Sequence, residues 1–397
     1  MLEVRAVRWP IAAGEQMNHF LTEEQEMIRD LTRQIAEEKI KPVRAELDEK
    51  GLFPHEIMKE LAKADLMGIL IPEEVGGFGG GIMEMSLVTE ELSRVCAGVA
   101  TTYSANSLAA TPIDLFGTPE QKEKFLRPIA EGSIYAAFAL TEQSAGSDAG
   151  GIKTTAVEDG DCFVLNGTKQ FISNGEEASV YSVIASTDPS RGPRGLSALI
   201  VERDTPGFTF GKKEDKMGIR ASKTTELVFT DCRVPKENLL GKKGQGFIVT
   251  MRTFDRTRPG VGAQAVGIAQ GAFDESVAYA KQRIQFGKPI TSFQGIQFMI
   301  ADMATQIEAA RCLVYASARA VDSGDKKSSG HSAMAKLFAS DMAMQVTTDA
   351  VQLMGGYGYM KEYPVEKFMR DAKITQIYEG TNQIQRGVIA ADVIKNI

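Results

Sequence analysis

Residues 377 to 386 run Ile-Tyr-Glu-Gly-Thr-Asn-Gln-Ile-Gln-Arg, so one carboxylate, Glu379, stands between an apolar approach and an amide-rich exit. A carboxylate so placed can reach into an apolar pocket while nearby N–H groups and amides hold something flat and polar. That is the equipment of a base for a weakly acidic carbon-bound proton, because burial raises a carboxylate's pKa toward working pH. Three other stretches carry candidate binding groups. Leu140–Asp148 (Leu-Thr-Glu-Gln-Ser-Ala-Gly-Ser-Asp) combines hydroxyls with small residues, which let backbone approach a ring or a diphosphate closely; an interdomain turn with capping serines would use the same residues. Gln352–Tyr359 places Gly355, Gly356 and Gly358 after a helical run, which by itself specifies a helix end with a concave backbone surface. Gln282–Pro289 puts Arg283 and Phe286 at another helix end, ahead of Phe293-Gln294; there Arg283 would equally complement the helix dipole.

These groups need a large scaffold. A chain of 397 residues exceeds a single core, so two or three units are expected. The composition, 43% hydrophobic and 24% charged, is that of a globular protein, and the net charge of −7 argues against a nucleic-acid surface. No apolar run approaches the ~20 residues of a membrane span. Four scattered cysteines and three histidines offer no metal-ligand spacing, and reduced thiols in a cytoplasmic protein are expected.

Residues 1–19 read as an N-terminal extension, with Met17 an alternative start. Residues 20–133 read as helical. Thr22 and Gln25 form a capping box before a helix whose apolar stripe is Met27, Leu31 and Ile35. A second helix follows Pro54, with Ile57, Leu61 and Ala64 on one face, and another spans Met83 to Val95. Residues 134–245 change period. Phe163–Leu165 and Phe171-Ile172 flank Asn166-Gly167, a two-residue hairpin signal, and strands are expected at Val180–Ala185, Leu196–Val201 and Glu226–Phe229. Over 246–397 the helical period returns, with Ile296, Met299, Met303, Ile307, Ala310 and Val314 on one face. The fold class is therefore α+β: an N-terminal helical domain, a middle β-barrel or sandwich, and a C-terminal four-helix bundle.

Taken together, the four stretches and the helix–strand–helix order resemble the acyl-CoA dehydrogenase family, in its short- and medium-chain bacterial branches, from about residue 20 to 395. The resemblance implies FAD between the β domain and the C-terminal helices, with Phe138, Leu140, Thr141, Ser147, Phe171 and Ser173 on one side. Phe171 stands where the family commonly has tryptophan. A neighbouring subunit of a homotetramer would complete the site with Arg283, Phe286, Gln294, Gln352, Gly355 and Gly356, and Thr381 and Gln383 would touch it from the loop after the base. Glu379 matches the α-proton base. Its N–H and a flavin ribityl hydroxyl would meet the thioester oxygen, hydride would pass from the β-carbon to flavin N5, and a 2-enoyl-CoA would result. Electrons would then pass to electron-transfer flavoprotein. Gly380 would border the acyl-CoA, Ser147 would also touch it, and Asp255 and Arg258 match residues on the pantetheine–nucleotide arm; an ordinary helix ion pair is their alternative.

The substrate is narrowed further. Some branches carry the base where this chain has Thr257, which cannot serve as one. Glutaryl-type members place an arginine within the segment corresponding to Ala97–Leu115, which here has no Arg or Lys, so a distal carboxylate would be buried unpaired. Thr101–Ser107, including Tyr103, is expected to form the pocket floor, suiting a short, medium, branched or alicyclic acyl group; cyclohexane-1-carboxyl-CoA is one specific alternative. Two further classes stay open, an oxygen-using acyl-CoA oxidase and a non-catalytic flavin-binding subunit. Neither Gly260-Val261-Gly262 nor Gly76–Gly81 has the strand-to-helix context of an NAD site.

Overall fold

The computed structural model describes residues 19–325 and 327–396; the expected extension and the alternative start at Met17 lie outside them, apart from His19. Helices come first: α1 (Glu23–Ile35), α2 (Arg44–Lys50), α3 (His55–Lys63), α4 (Ile82–Val95), α5 (Ala97–Phe116) and α6 (Pro119–Ala130). The Thr22–Gln25 capping box forms in both directions, and a second one, Thr118–Gln121 with Pro119 in the first turn, opens α6. The α1 stripe is different from the expected one. Ile28 and Thr32 face the core, whereas Met27 is 65% and Leu31 42% exposed. Ile35 packs on the core as expected, but the two turns before it are rotated by one residue, and Thr32 is accommodated there by donating its hydroxyl to the Ile28 carbonyl.

Eight strands follow: β1 (Ala136–Ala139), β2 (Thr155–Asp159), β3 (Cys162–Ser173), β4 (Val180–Ser186), β5 (Leu196–Glu202), β6 (Phe208–Lys213), β7 (Thr224–Pro235) and β8 (Leu239–Leu240). They form one sheet in the order β6-β7-β3-β2-β4-β5-β8, with β1 parallel to β4. The sheet curls over itself. Tyr181 on β4 meets Phe208 on β6 at 4.7 Å although three strands separate them, so one face closes on an inner core of aromatic and aliphatic side chains. The other face, with Val180, Ile184, Ala198 and Ile200, packs on helical residues.

Asn166-Gly167 is not a hairpin turn. It lies inside the continuous strand β3 at a register shift against β7, where Asn166 exchanges hydrogen bonds with Asp231. Gly167, at φ 147°, leaves no room for a side chain beside Thr154. The chain reverses instead at Gly160-Asp161, between paired Asp159 and Cys162. The dipeptide thus serves as a bulge, the other common use of a residue free to leave the L-amino-acid backbone range.

The C-terminal part holds three long helices, α7 (Gly246–Gln282), α8 (Gln294–Asp322) and α9 (Ser328–Met354), and two shorter ones, α10 (Val365–Thr375) and α11 (Asn382–Asn396), which pack on α9. A small hairpin of β9 (Ile284–Gln285) and β10 (Lys288–Pro289) joins α7 to α8. Met303, Ile307, Ala310 and Val314 are buried along α8 as their spacing predicts. Pro259 sits inside α7, where it cannot donate to the Asp255 carbonyl one turn back. Ser332 of α9 donates there instead, at 2.8 Å.

Candidate active site

A cavity of about 140 Å³ opens between the middle sheet and the helices. On the sheet side it is lined by Phe138 at the end of β1, by Leu140 and Thr141 just beyond, and by Phe171, Ile172 and Ser173 at the end of β3. On the helical side α7 contributes Phe254, Thr257, Val261 and Gln264, whose spacing of three and four places them on one face. Thr101, Ser104, Ala105 and Leu108 of α5 and Met85 of α4 close the far end. Among the described residues no lysine or arginine lines it.

The sheet wall is locked from behind. Fully buried Lys169 donates to the Leu140 carbonyl at 2.9 Å and to Glu142 at 2.7 Å, and Glu142 also accepts the N–H groups of Lys153 and Thr154. Gln170 N–H donates to the Thr141 carbonyl at 2.8 Å. Beside this anchored loop Phe171 adopts φ 61° and is 57% exposed. That left-handed backbone costs energy, and it sets the ring on the cavity wall beside Ile172 and Ser173.

Glu379 enters from the turn between α10 and α11. Tyr378 N–H still bonds the Ile374 carbonyl, then Glu379 (φ 51°) and Gly380 (φ 94°) turn through left-handed backbone. Gly380 is required twice over, since a Cβ there would also lie 2.6 Å from Gln385 Nε2. Thr257 Oγ1 donates to Glu379 Oε2 at 2.7 Å. Burial pushes the Glu379 carboxyl above the ordinary carboxylate range, opposed by that hydroxyl and then by Arg258 and Lys336. Among the described residues the Glu379 N–H has no backbone acceptor. Deeper in, the Tyr378 hydroxyl donates to the Gln264 carbonyl oxygen, and Gln264 Nε2 donates to Thr101 Oγ1 at 2.8 Å. The cavity therefore has a carboxylate on one wall, aromatic and aliphatic walls beside it, and an internally satisfied polar floor.

A second, larger groove of about 680 Å³ lies on the C-terminal helices, lined by Arg283, Phe286, Phe293, Gly355, Gly356 and Tyr357 among others. Arg283 stacks over the Tyr357 ring at 5.6 Å, and Phe286 is 93% exposed at the β9–β10 tip.

Of the residues expected at the site, Phe138, Leu140, Thr141, Phe171, Ser173 and Glu379 meet on the first cavity, and Arg283, Phe286, Gly355 and Gly356 meet on the second. Ser147, Gln294, Gln352 and Gln383 line neither and are exposed. Thr381 caps α11 by accepting the Ile384 N–H. Arg258 is buried; it donates to the Glu379 carbonyl at 3.2 Å and lies 3.3 Å from Asp255, which also accepts from Ser329. Tyr103 does not form the floor. It is 1% exposed and donates to the Leu66 carbonyl, because two residues beyond Thr101 an α-helix has rotated by about 200°. Gln264 and Lys336 carry geometry that no motif points to, and Thr257 and Tyr378 gain hydrogen-bonding roles that their motifs do not give them. The signal for Lys336 was available: a lysine among alanines, on one helical face with Ser332 and Ser340.

Residues 22–133, 137–232 and 244–394 match the N-terminal, middle and C-terminal domains of acyl-CoA dehydrogenase. The chain belongs to the acyl-CoA dehydrogenase family and is an oxidoreductase. An acryloyl-CoA reductase (NADH) of Anaerotignum propionicum is 52% identical over 96% of this chain and 97% of its own. The butyryl-CoA dehydrogenase structure from Megasphaera elsdenii superposes with a TM-score of 0.92 at 50% identity, covering 96% of this chain and all 100% of that one. A chain from work on the electron transferring flavoprotein of Acidaminococcus fermentans and flavin-based electron bifurcation gives 0.93 at 54%, with 96% and 100% coverage.

FAD is the cofactor of this family, and the residues present fit it. Gly146, Gly355 and Gly356 face open space, with no atom within 4 Å of where a Cβ would stand. Exposed aromatics line both cavities, Phe171 the first and Phe286 and Tyr357 the second. Flat rings and a diphosphate need open backbone and uncovered aromatic faces of this kind.

Proposed function

We propose that the chain interconverts a short-chain acyl-CoA and its 2-enoyl-CoA, with Glu379 moving the α-proton. The observation that carries this is the Glu379 carboxylate on the wall of a largely apolar cavity, its pKa raised by burial and its Oε2 bonded to Thr257. Bound FAD supplies the hydride acceptor or donor for the β-carbon. Everything else belongs to the chain. Phe138 and Phe254, 5.8 Å apart, give the cavity that Glu379 lines an apolar wall. The Glu379 N–H offers a donor to the thioester oxygen where negative charge develops. A carboxyl poised above its ordinary range serves as base in oxidation and as acid in reduction, so the direction is set by the electron partner. The relatives' names include both directions.

The cavity argues for a short acyl group. On its helical side the cavity is closed by Met85 and the Thr101–Gln264–Tyr378 floor, which favours a few carbons over a long chain or an alicyclic ring. Among the described residues no cation lines the cavity, which counts against a distal carboxylate. We assign electron exchange to electron-transfer flavoprotein, on the likeness to the Acidaminococcus fermentans chain. The second groove, with its exposed Phe286, is assigned to the FAD of a neighbouring copy in a homotetramer. Retention of Glu379 counts against a non-catalytic subunit.

Anaerobic mixing of the yellow holoenzyme with butyryl-, octanoyl-, glutaryl- and cyclohexanecarboxyl-CoA tests the reading. Butyryl-CoA is expected to bleach the flavin fastest, and Glu379→Gln to slow bleaching at least ~10²-fold while keeping FAD and ligand. Near-wild-type bleaching by that variant removes Glu379 as the base. Faster bleaching by the cyclic thioester replaces the short-chain assignment, and rapid reoxidation of reduced flavin by oxygen alone would favour the oxidase class.

A further inference from the structure

The Glu379–Gly380 turn is held by donors from three directions. Arg258 Nε and Gln385 Nε2 both donate to the Glu379 carbonyl at 3.2 Å. The Gly380 carbonyl accepts from Gln385 Nε2 and from Lys336 Nζ, each at 2.9 Å. Lys336 also donates to Asn382 Oδ1 at 2.7 Å, and Asn382 in turn donates to Ser340 and Asp341. With both carbonyls fixed, the peptide planes on either side of the Gly380 Cα are fixed, and with them the backbone that leaves the Glu379 Cα.

Lys336 stands out among these donors. It is fully buried on α9, and no carboxylate lies within ion-pair distance of it among the described residues. Its neighbours on that face, Ser329 and Ser332, hold Asp255, and Ser340 holds Asn382, so the whole stripe attends to the Pro259 break and the base turn. A methionine would fill the same volume without the cost of burying an ammonium. The lysine therefore does something that packing does not require.

We propose that Lys336 is a positioning residue for the base: it clamps the Gly380 carbonyl and the Asn382 side chain so that the Glu379 carboxylate faces the cavity, and its charge steadies that carboxylate in the ionised form. This rests on the reading of Glu379 as the base. The charged groups around Lys336 are Glu379, Arg258 and Asp341, the last also bonded by Arg386. Burial pulls the ammonium down to about 7, with Glu379 and Asp341 pulling upward and Arg258 downward. Near neutrality its charge thus responds to the state of Glu379.

The test uses FAD-loaded wild type, Lys336→Met, Lys336→Gln and Glu379→Gln. The readouts are exchange of the α-protons of butyryl-CoA in deuterium oxide across pH, and kcat and KM from flavin bleaching. Lys336→Met is expected to lose about tenfold in exchange and in kcat, the order expected for a modestly misplaced catalytic group, with KM within about threefold and the acid limb moved to higher pH. Lys336→Gln can still donate to the Gly380 carbonyl without charge; it is expected to recover rate at high pH and keep the moved limb. If Lys336→Met does not fold, the limb of Lys336→Gln alone decides. Wild-type exchange with an unmoved limb in the folded variants overturns the proposal. Wild-type exchange in Glu379→Gln overturns the base reading instead, so the two failures are told apart.

Discussion

Thr257→Val is the sharpest probe of the site, because it removes one donor and little volume. Thr257 Oγ1 lies 2.7 Å from Glu379 Oε2, and its hydrogen bond is stronger to the anion than to the neutral acid. A hydrogen bond to a charged group contributes about 1.5–3 kcal/mol. We take the low end, since Arg258 and Lys336 also favour the anion. Without the hydroxyl the carboxyl, already raised by burial, is raised further, so the rising limb of kcat/KM moves to higher pH. About 1.5 kcal/mol corresponds to roughly tenfold in ionisation. On the limb, therefore, Thr257→Val should turn over butyryl-CoA about tenfold more slowly than wild type, with the gap closing on the alkaline plateau. The assay is anaerobic flavin bleaching from pH 5 to 9 with FAD content matched. A limb that stays in place refutes the reasoning, and so does a plateau that falls tenfold while the limb stays.

Three further outcomes are expected. A carboxyl whose pKa is raised on folding contributes stability that is greatest in acid and falls as pH rises from the ordinary carboxylate range through the folded value; Glu379→Gln should therefore raise Tm of the ligand-free enzyme at pH 8 and leave it unchanged at pH 4, as thermal unfolding at both pH values will check. Met85→Ala should deepen the cavity and raise the octanoyl-to-butyryl ratio of kcat/KM about tenfold or more, as a methylene-sized change in an apolar site does, while costing about 2–5 kcal/mol of stability by denaturant titration. Gly380→Ala meets φ 94° and Gln385 Nε2 at 2.6 Å; it should cost about 1–3 kcal/mol and depress kcat more than KM, and an unaltered kcat would count against a strained, positioned turn.

Much of the architecture was legible in the residues. Thr22–Gln25, Pro54 and the apolar row of α8 are local signals, and local signals survive folding. The failures share a cause. In the two turns before Ile35 the α1 stripe slipped by one residue, and Thr32, polar by type, is accommodated there by a carbonyl that only the folded helix offers. Asn166-Gly167 carries the signature of a turn, but pairing with β7 kept β3 continuous and left the dipeptide as a bulge. Tyr103 was assigned to the floor as one of a run of seven, whereas the helix presents Thr101, Ser104, Ala105 and Leu108 instead.

The site divides along the same line. Glu379 before a glycine, the hydroxyl-rich loop at Leu140–Asp148 and the glycines after Met354 are contiguous, so the chain's own order names them and with them the family. What sets the carboxylate's proton affinity and direction is scattered: Thr257 on α7, Lys336 on α9 and Gln385 on α11 come within hydrogen-bond reach of one turn from positions between 6 and 122 residues away. Sequence periodicity can say which face of a helix a residue occupies. Only the packing of that helix against another decides which carbonyl or carboxylate the face will meet, and a pKa is a property of that meeting.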